Sequence, residues 1–216
     1  MTVRSRWTQW RRPERWTITQ SADIVYQEVL KPRGYRRRGN NFYLEDFLHR
    51  EVSFFAARWH AAHDRTLVVA FELKWVGLPD TLGGWHTVNE SIGGSVRRGF
   101  RQPRVTDDTL DPRVIAMVKG PVLDFLVRPS SAQWVIDTIL TTGALPIDRR
   151  CNPQGGTVGH ATFAAWGAVA LGDAERCAHA LALAKSQSKD WSPDWHTGFA
   201  DAIDRGWSEL HGHPRP

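Results

Sequence analysis

From Phe42 to Trp75 the chain alternates between apolar and polar positions with a period of two. Phe42, Leu44 and Leu48 alternate with Tyr43, Glu45 and Phe47, and Val52, Phe54 and Ala56 alternate with Ser53, Phe55, Ala57 and Trp59. Leu67, Val69, Phe71, Leu73 and Trp75 make the cleanest apolar face, opposed by Glu72 and Lys74. Successive side chains of a strand point to opposite faces, so this pattern predicts three strands at hairpin spacing, an antiparallel meander. A further strand is expected within 85–96, weakened by Gly83, Gly84, Gly93 and Gly94.

On both sides of this stretch the period lengthens to that of a helix. Ser21 is placed to cap one, with Asp23 in its first turn and Ile24, Val25, Val29 and Leu30 on one face. Pro32 and Gly34 should stop it. Asp111 and Pro112 read as a cap and first turn leading into Val114, Ile115, Val118, Val122, Phe125 and Leu126, with Pro121 expected to kink or split that helix. Ser130 or Ser131 should cap the next helix, and Gly143 should close it. After a loop over 144–156 comes an alanine-rich helix pair broken at Gly172 and Asp173. Ser192 and Pro193 then start a helix with the stripe Trp195, Phe199, Ile203, Trp207 and Leu210. The expected class is α+β: an N-terminal helix, an antiparallel sheet of three to five strands and a helical C-terminal half. The expected units are a basic, tryptophan-bearing arm over 1–16, an α+β domain over 17–145 and a helical extension over 146–216 packed on it.

Composition narrows the class without naming a function. A chain of 216 residues that is 41% hydrophobic and 24% charged buries a full core without staples. Cys151 and Cys177 lack the CxxC spacing of a metal or redox motif, which fits a reducing cytoplasm. No apolar run approaches the roughly 18 residues of a membrane span, and the N-terminus has no apolar signal region, so no membrane association is expected. The net charge of +5 permits an acidic partner, including nucleic acid. Lysines stand only at 31, 74, 119, 185 and 189, so arginine supplies the basic excess, as GC-rich coding alone would produce.

The segment "RGYRRRGNNFYLED" puts three arginines between two glycines just before the meander. In extended backbone Arg36 and Arg38 share one face and Arg37 takes the other, so the three do not grip one phosphate track. The run reads as the threshold of the sheet, its charges protecting an edge and its stems covering apolar surface. The stretch "VLKPRGYRRRGNNFYLE" resembles a bacterial family of unknown function in which a helix ends in an "lk-x-x-GF-x-r-x-g-x-x-F-y-r" segment leading into a sheet. The matching residues are Leu30, Lys31, Gly34, Tyr35, Arg36, Arg38, Gly39, Phe42 and Tyr43, with Tyr35 standing where phenylalanine is expected. The resemblance covers about residues 20–145 and implies an α+β domain without assigned catalytic residues. Small bacterial families of this kind include immunity proteins that neutralise toxins, an analogy of class only. "WGAVALGDAERCAHALALA" is similar to a single tetratricopeptide-type helix pair, with Gly172, Asp173 and Ala180 at its turn and packing positions.

Candidate chemistry is sparse. His60, His63 and Asp64 supply up to three metal ligands in what otherwise reads as a hairpin loop. Gly155 and Gly156, with His160, form a glycine-rich approach to a helix whose free N–H groups suit an anion, though the lysine and hydroxyl of a phosphate loop are missing. Cys151 beside Arg149 and Arg150 invites a lowered thiol pKa, and Cys177 reads as a core residue. No nucleophile motif occurs, and no pair of carboxylates is placed by spacing for acid–base work. The stronger binding candidates are Trp7, Trp10, Arg11 and Arg12 in the arm and Arg97, Arg98, Phe100, Arg101 and Arg104 in the segment "RRGFRQPR", where phosphate-contacting arginines stand beside stacking rings. The expected function is a non-enzymatic cytoplasmic protein, without cofactor, that binds another protein through an acidic or apolar surface of that partner. A toxin-neutralising or accessory role is its most concrete form. The alternatives are a nucleic-acid binder using the arm and arginine-rich loops, and an enzyme with an anion or metal pocket.

Overall fold

The structure, a computed structural model, describes residues 12–56, 67–78, 87–92, 112–148 and 158–216. Helix α1, Arg12–Val25, continues through a π-helical turn at Tyr26–Leu30 and a 3-10 turn at Lys31–Arg33, and Gly34 ends it at φ 83°. Ser21 does not cap this helix. It lies inside α1, buried beside Ala22 and Val25, where a small side chain fits the contact. Ile24 falls off that apolar face and is exposed, while Val25, Val29 and Leu30 are fully buried.

Five antiparallel strands follow in the order β1-β2-β3-β4-β5: β1 Arg36–Arg38, β2 Asn41–Glu45, β3 Leu48–Ala56, β4 Leu67–Trp75 and β5 Thr87–Ile92. The arginine run is therefore an edge strand and not only a connection. Arg37 turns inward, paired with Asp23 of α1, its guanidinium 5.6 Å from the Phe42 ring centre and 5.9 Å from that of Tyr26. Arg36 and Arg38 face out and are exposed. The span from Phe42 to Leu48 is two strands, because Asp46 turns the chain by accepting the Leu48 N–H at 2.9 Å.

The helical half begins with α2, Pro112–Met117, which runs through a π-helical turn at Val118–Val122 into α3, Leu123–Val127. Pro121 sits within that turn, whose widened backbone accommodates a residue without an N–H; the helix is locally unwound and not split. Ser131 accepts the Trp134 N–H to start α4, Ala132–Thr142, and Gly143 at φ 83° ends it. Helices α5, Val158–Leu171, and α6, Ala174–Gln187, form the expected hairpin around Gly172 at φ 68°, with Asp173 capping α6. Ser192 caps α7, Pro193–His211. Its stripe holds at Phe199, Ile203 and Trp207, but Leu210 is exposed, and His211 occupies the contact instead by donating to the Val169 carbonyl at 2.7 Å.

The inward residues of the sheet, among them Phe42, Leu48, Val52, Phe54, Phe71, Leu73, Trp75 and Val88, join apolar residues of all seven α-helices in one buried cluster. Helix α5 is buried on every side, as a helix with no polar face must be. Trp75 fixes it to the sheet: its indole lies against Phe163, ring centres 4.8 Å apart, and donates to the Phe163 carbonyl at 2.7 Å. Gly167, one turn on, leaves room for that ring. Arg50 stands on the same inward face and is 4% exposed. Its Nε donates to the Leu126 carbonyl at 2.7 Å and an Nη to that of Pro129 at 3.3 Å, closing the C-terminal end of α3. The other Nη pairs with Asp46 at 2.5 Å.

Candidate functional site

With one face of the sheet committed to the helices, the other carries the outward residues of each strand. Strand register sets them in rows. Arg36, Tyr43, Glu51, Glu72 and Asn89 lie opposite one another across the five strands. On one side of this row stand Glu45, His49, Lys74 and Thr87; on the other stand Arg38, Asn41, Ser53, Ala70 and Ser91. Beyond these, Phe55 is paired with Val68 and is 47% exposed.

The centre of this face is acidic. Glu51 and Glu72 are directly opposite on β3 and β4, a placement that brings like charges within reach and disfavours the sheet. Their spacing along the chain gives no sign of this; the pairing of β3 with β4 creates it. Glu51 accepts from the Ser53 hydroxyl at 2.6 Å and faces His49 Nε2 at 3.2 Å. The other nitrogen of His49 lies 3.7 Å from Glu45, and its ring stacks on Tyr43. Asn89 donates to Glu72 at 3.5 Å. Burial first, and the neighbouring Glu51 charge second, raise the Glu72 carboxyl above its ordinary pKa, with His49 and Lys74 opposing the rise. A carboxylate has about four lone-pair sites, so these contacts leave both able to accept further donors.

Of the other candidates, His160 at the start of α5 is 2% exposed. Its Nδ1 accepts the Leu145 N–H at 2.8 Å, which places the proton on Nε2, and Nε2 faces Glu90 of β5 at 3.8 Å. Both ring nitrogens are thus turned to protein groups. Gly155 and Gly156 lie outside the described residues, as do His60, His63, Asp64, Trp7, Trp10, Arg11, Arg97, Arg98, Phe100, Arg101, Arg104 and Cys151. Arg12 begins α1. Cys177 is buried in the core, which pushes its thiol up to about 11. Arg176 joins α4 to α6 through Asp137 at 2.7 Å and Asp173 at 2.6 Å. The cleft of about 510 Å³ beside it is therefore lined by a guanidinium already paired.

Among the described residues no group of three or more histidine, cysteine, aspartate or glutamate side chains is placed to hold a metal ion, and no helix is long and apolar enough to cross a membrane. The chain matches no known family model, no curated protein and no solved structure.

Proposed function

We propose that this is a non-enzymatic, cytoplasmic binding protein whose outer sheet face docks a basic surface of another protein. The observation that carries the reading is the Glu51–Glu72 pair, two carboxylates facing each other across β3 and β4 on the face away from the helices. A cation held between them relieves their repulsion, so binding recovers what folding gives up. Net charge alone argued for an acidic or apolar partner; on this face Glu45, Glu51 and Glu72 balance Arg36, Arg38 and Lys74, and the two facing carboxylates concentrate negative charge at its centre. A cationic toxin is one partner of this chemistry, consistent with the immunity role suggested by analogy of class. The arginine run offers less to nucleic acid than its sequence suggests, because Arg37 is paired with Asp23.

Capture on the immobilised protein tests the reading. A partner retained by the wild type should be lost, with affinity down about tenfold or more, by Glu51→Gln/Glu72→Gln; tenfold corresponds to about 1.4 kcal/mol. Equal retention by both proteins rejects the sheet face as the docking surface.

A further inference from the structure

The carboxylates at the centre of the outer face share it with one titratable ring. His49 of β3 lies opposite Glu45 of β2 and Lys74 of β4. Its Nδ1 is 3.7 Å from a Glu45 oxygen and its Nε2 is 3.2 Å from a Glu51 oxygen. The ring is held against that of Tyr43, centres 5.9 Å apart and planes 16° from parallel. Both ring nitrogens therefore face carboxylates. A neutral imidazole has one N–H and one lone pair, so it turns an N–H to one carboxylate and a lone pair to the other. Only the imidazolium presents an N–H to both.

The surrounding charges decide what that proton does. Glu45 and Glu51 favour the charged ring, and Lys74, directly opposite on β4, opposes it. Glu72, two residues along β4 from Lys74, lies within the ring's electrostatic reach, and Arg36 stands across from Tyr43 on β1. The fixed charges of the face cancel, so one added proton gives it a net positive charge. That charge arrives against Glu51, one member of the facing pair. Histidine is the side chain whose ordinary charge change falls between about pH 5 and 8.

We infer, resting on the reading of this face as a docking surface for a basic group, that His49 is its proton-operated release. With the ring neutral, Glu51 and Glu72 both accept the partner's cation. With the ring charged, the imidazolium satisfies Glu51 from within the sheet and competes with the partner for it. Docking is therefore tight above neutral pH and weakened by mild acid.

The probe is a fluorescently labelled tetra-arginine peptide, its affinity measured at about pH 8 and about pH 6, on either side of histidine's ordinary charge change. On acidification the wild type should lose about threefold more affinity than His49→Gln, the scale of one partly exposed charge pair. Loss common to the two proteins belongs to Glu72, whose carboxyl burial and Glu51 hold above its ordinary pKa. His49→Lys, charged throughout, should bind at both pH values about as weakly as the acidified wild type. Native circular dichroism is checked for each variant. Equal weakening of wild type and His49→Gln, with binding at about pH 8 still lost in Glu51→Gln/Glu72→Gln, overturns the release and leaves the acidic docking face standing. Failure of the peptide to bind at the higher pH, or binding indifferent to the paired glutamine changes, overturns both.

Discussion

Gly167→Ala should destabilise the protein by roughly 1–3 kcal/mol in equilibrium unfolding. A Cβ at position 167 would lie within 2.8 Å of three atoms of the Trp75 indole. That ring has no room to retreat: it is 3% exposed, lies against Phe163 and is held by the hydrogen bond to the Phe163 carbonyl. Overpacking a dense core costs roughly 1–3 kcal/mol, and loss of the indole hydrogen bond adds about 1 kcal/mol. The better helix propensity of alanine returns about 1 kcal/mol. Gly198 of α7 is the internal comparison, because a Cβ there meets nothing within 4 Å. Gly198→Ala should therefore leave stability unchanged or raise it by up to about 1 kcal/mol. Similar effects at the two glycines would show that α5 is not pinned to the sheet through Trp75.

Arg50→Met should cost about 3 kcal/mol, for a different reason. Methionine fills much of the volume but donates nothing, so the Leu126 and Pro129 carbonyls lose their Arg50 donor at the end of α3. Each buried group left unsatisfied costs roughly 1–3 kcal/mol. Asp46 is half exposed and stays solvated without its partner, so it adds little. Arg50→Lys should recover only part of the loss, since an ammonium lacks the planar fork that reaches two carbonyls and a carboxylate together. Chemical denaturation of the three proteins checks the order wild type, lysine, methionine. A lysine variant as stable as wild type would mean that charge, and not the fork, is what this position requires.

These two residues also show where a sequence speaks and where it falls silent. The alternation at Val69, Phe71, Leu73 and Trp75 survives intact because strand periodicity is local and one face has a core to meet. The caps at Ser131 and Ser192, the closing Gly143 and the break at Gly172 and Asp173 survive for the same reason: each is decided within a single turn. Ser21 shows the opposite case, a good capping residue overruled by burial against the sheet. Arg50 was visible as a charge at an inward position between Leu48 and Val52, but its carbonyl partners lie 76 and 79 residues away. The need for glycine at 167 likewise depends on Trp75, from a different element.

The acidic centre of the outer face was the least legible feature. Glu51 and Glu72 are each ordinary outward residues of their strands, and only the register that sets Val52 against Phe71 brings them opposite. The arginines were legible in number but not in use. Alternation separates Arg37 from its neighbours, as expected, yet its pairing with Asp23 requires the packing of α1 on the sheet.

The central claim is that the carboxylate pair on the outer face serves a partner at some expense to the fold. Burial and Glu51 raise the Glu72 pKa in the folded protein, so the folded state holds that proton more tightly than the unfolded chain. The stability linked to it is fully present below the ordinary carboxylate range and is lost as pH rises through the raised folded value. Unfolding free energy of Glu72→Gln beside wild type, measured from neutral pH down through the carboxylate range, is the most direct test. The expected result is a variant more stable by about 0.5 kcal/mol at pH 7, with the gain shrinking towards zero as the pH falls. A variant less stable than wild type by 1 kcal/mol or more at pH 7 would mean that Glu72 holds the sheet together, and would contradict it.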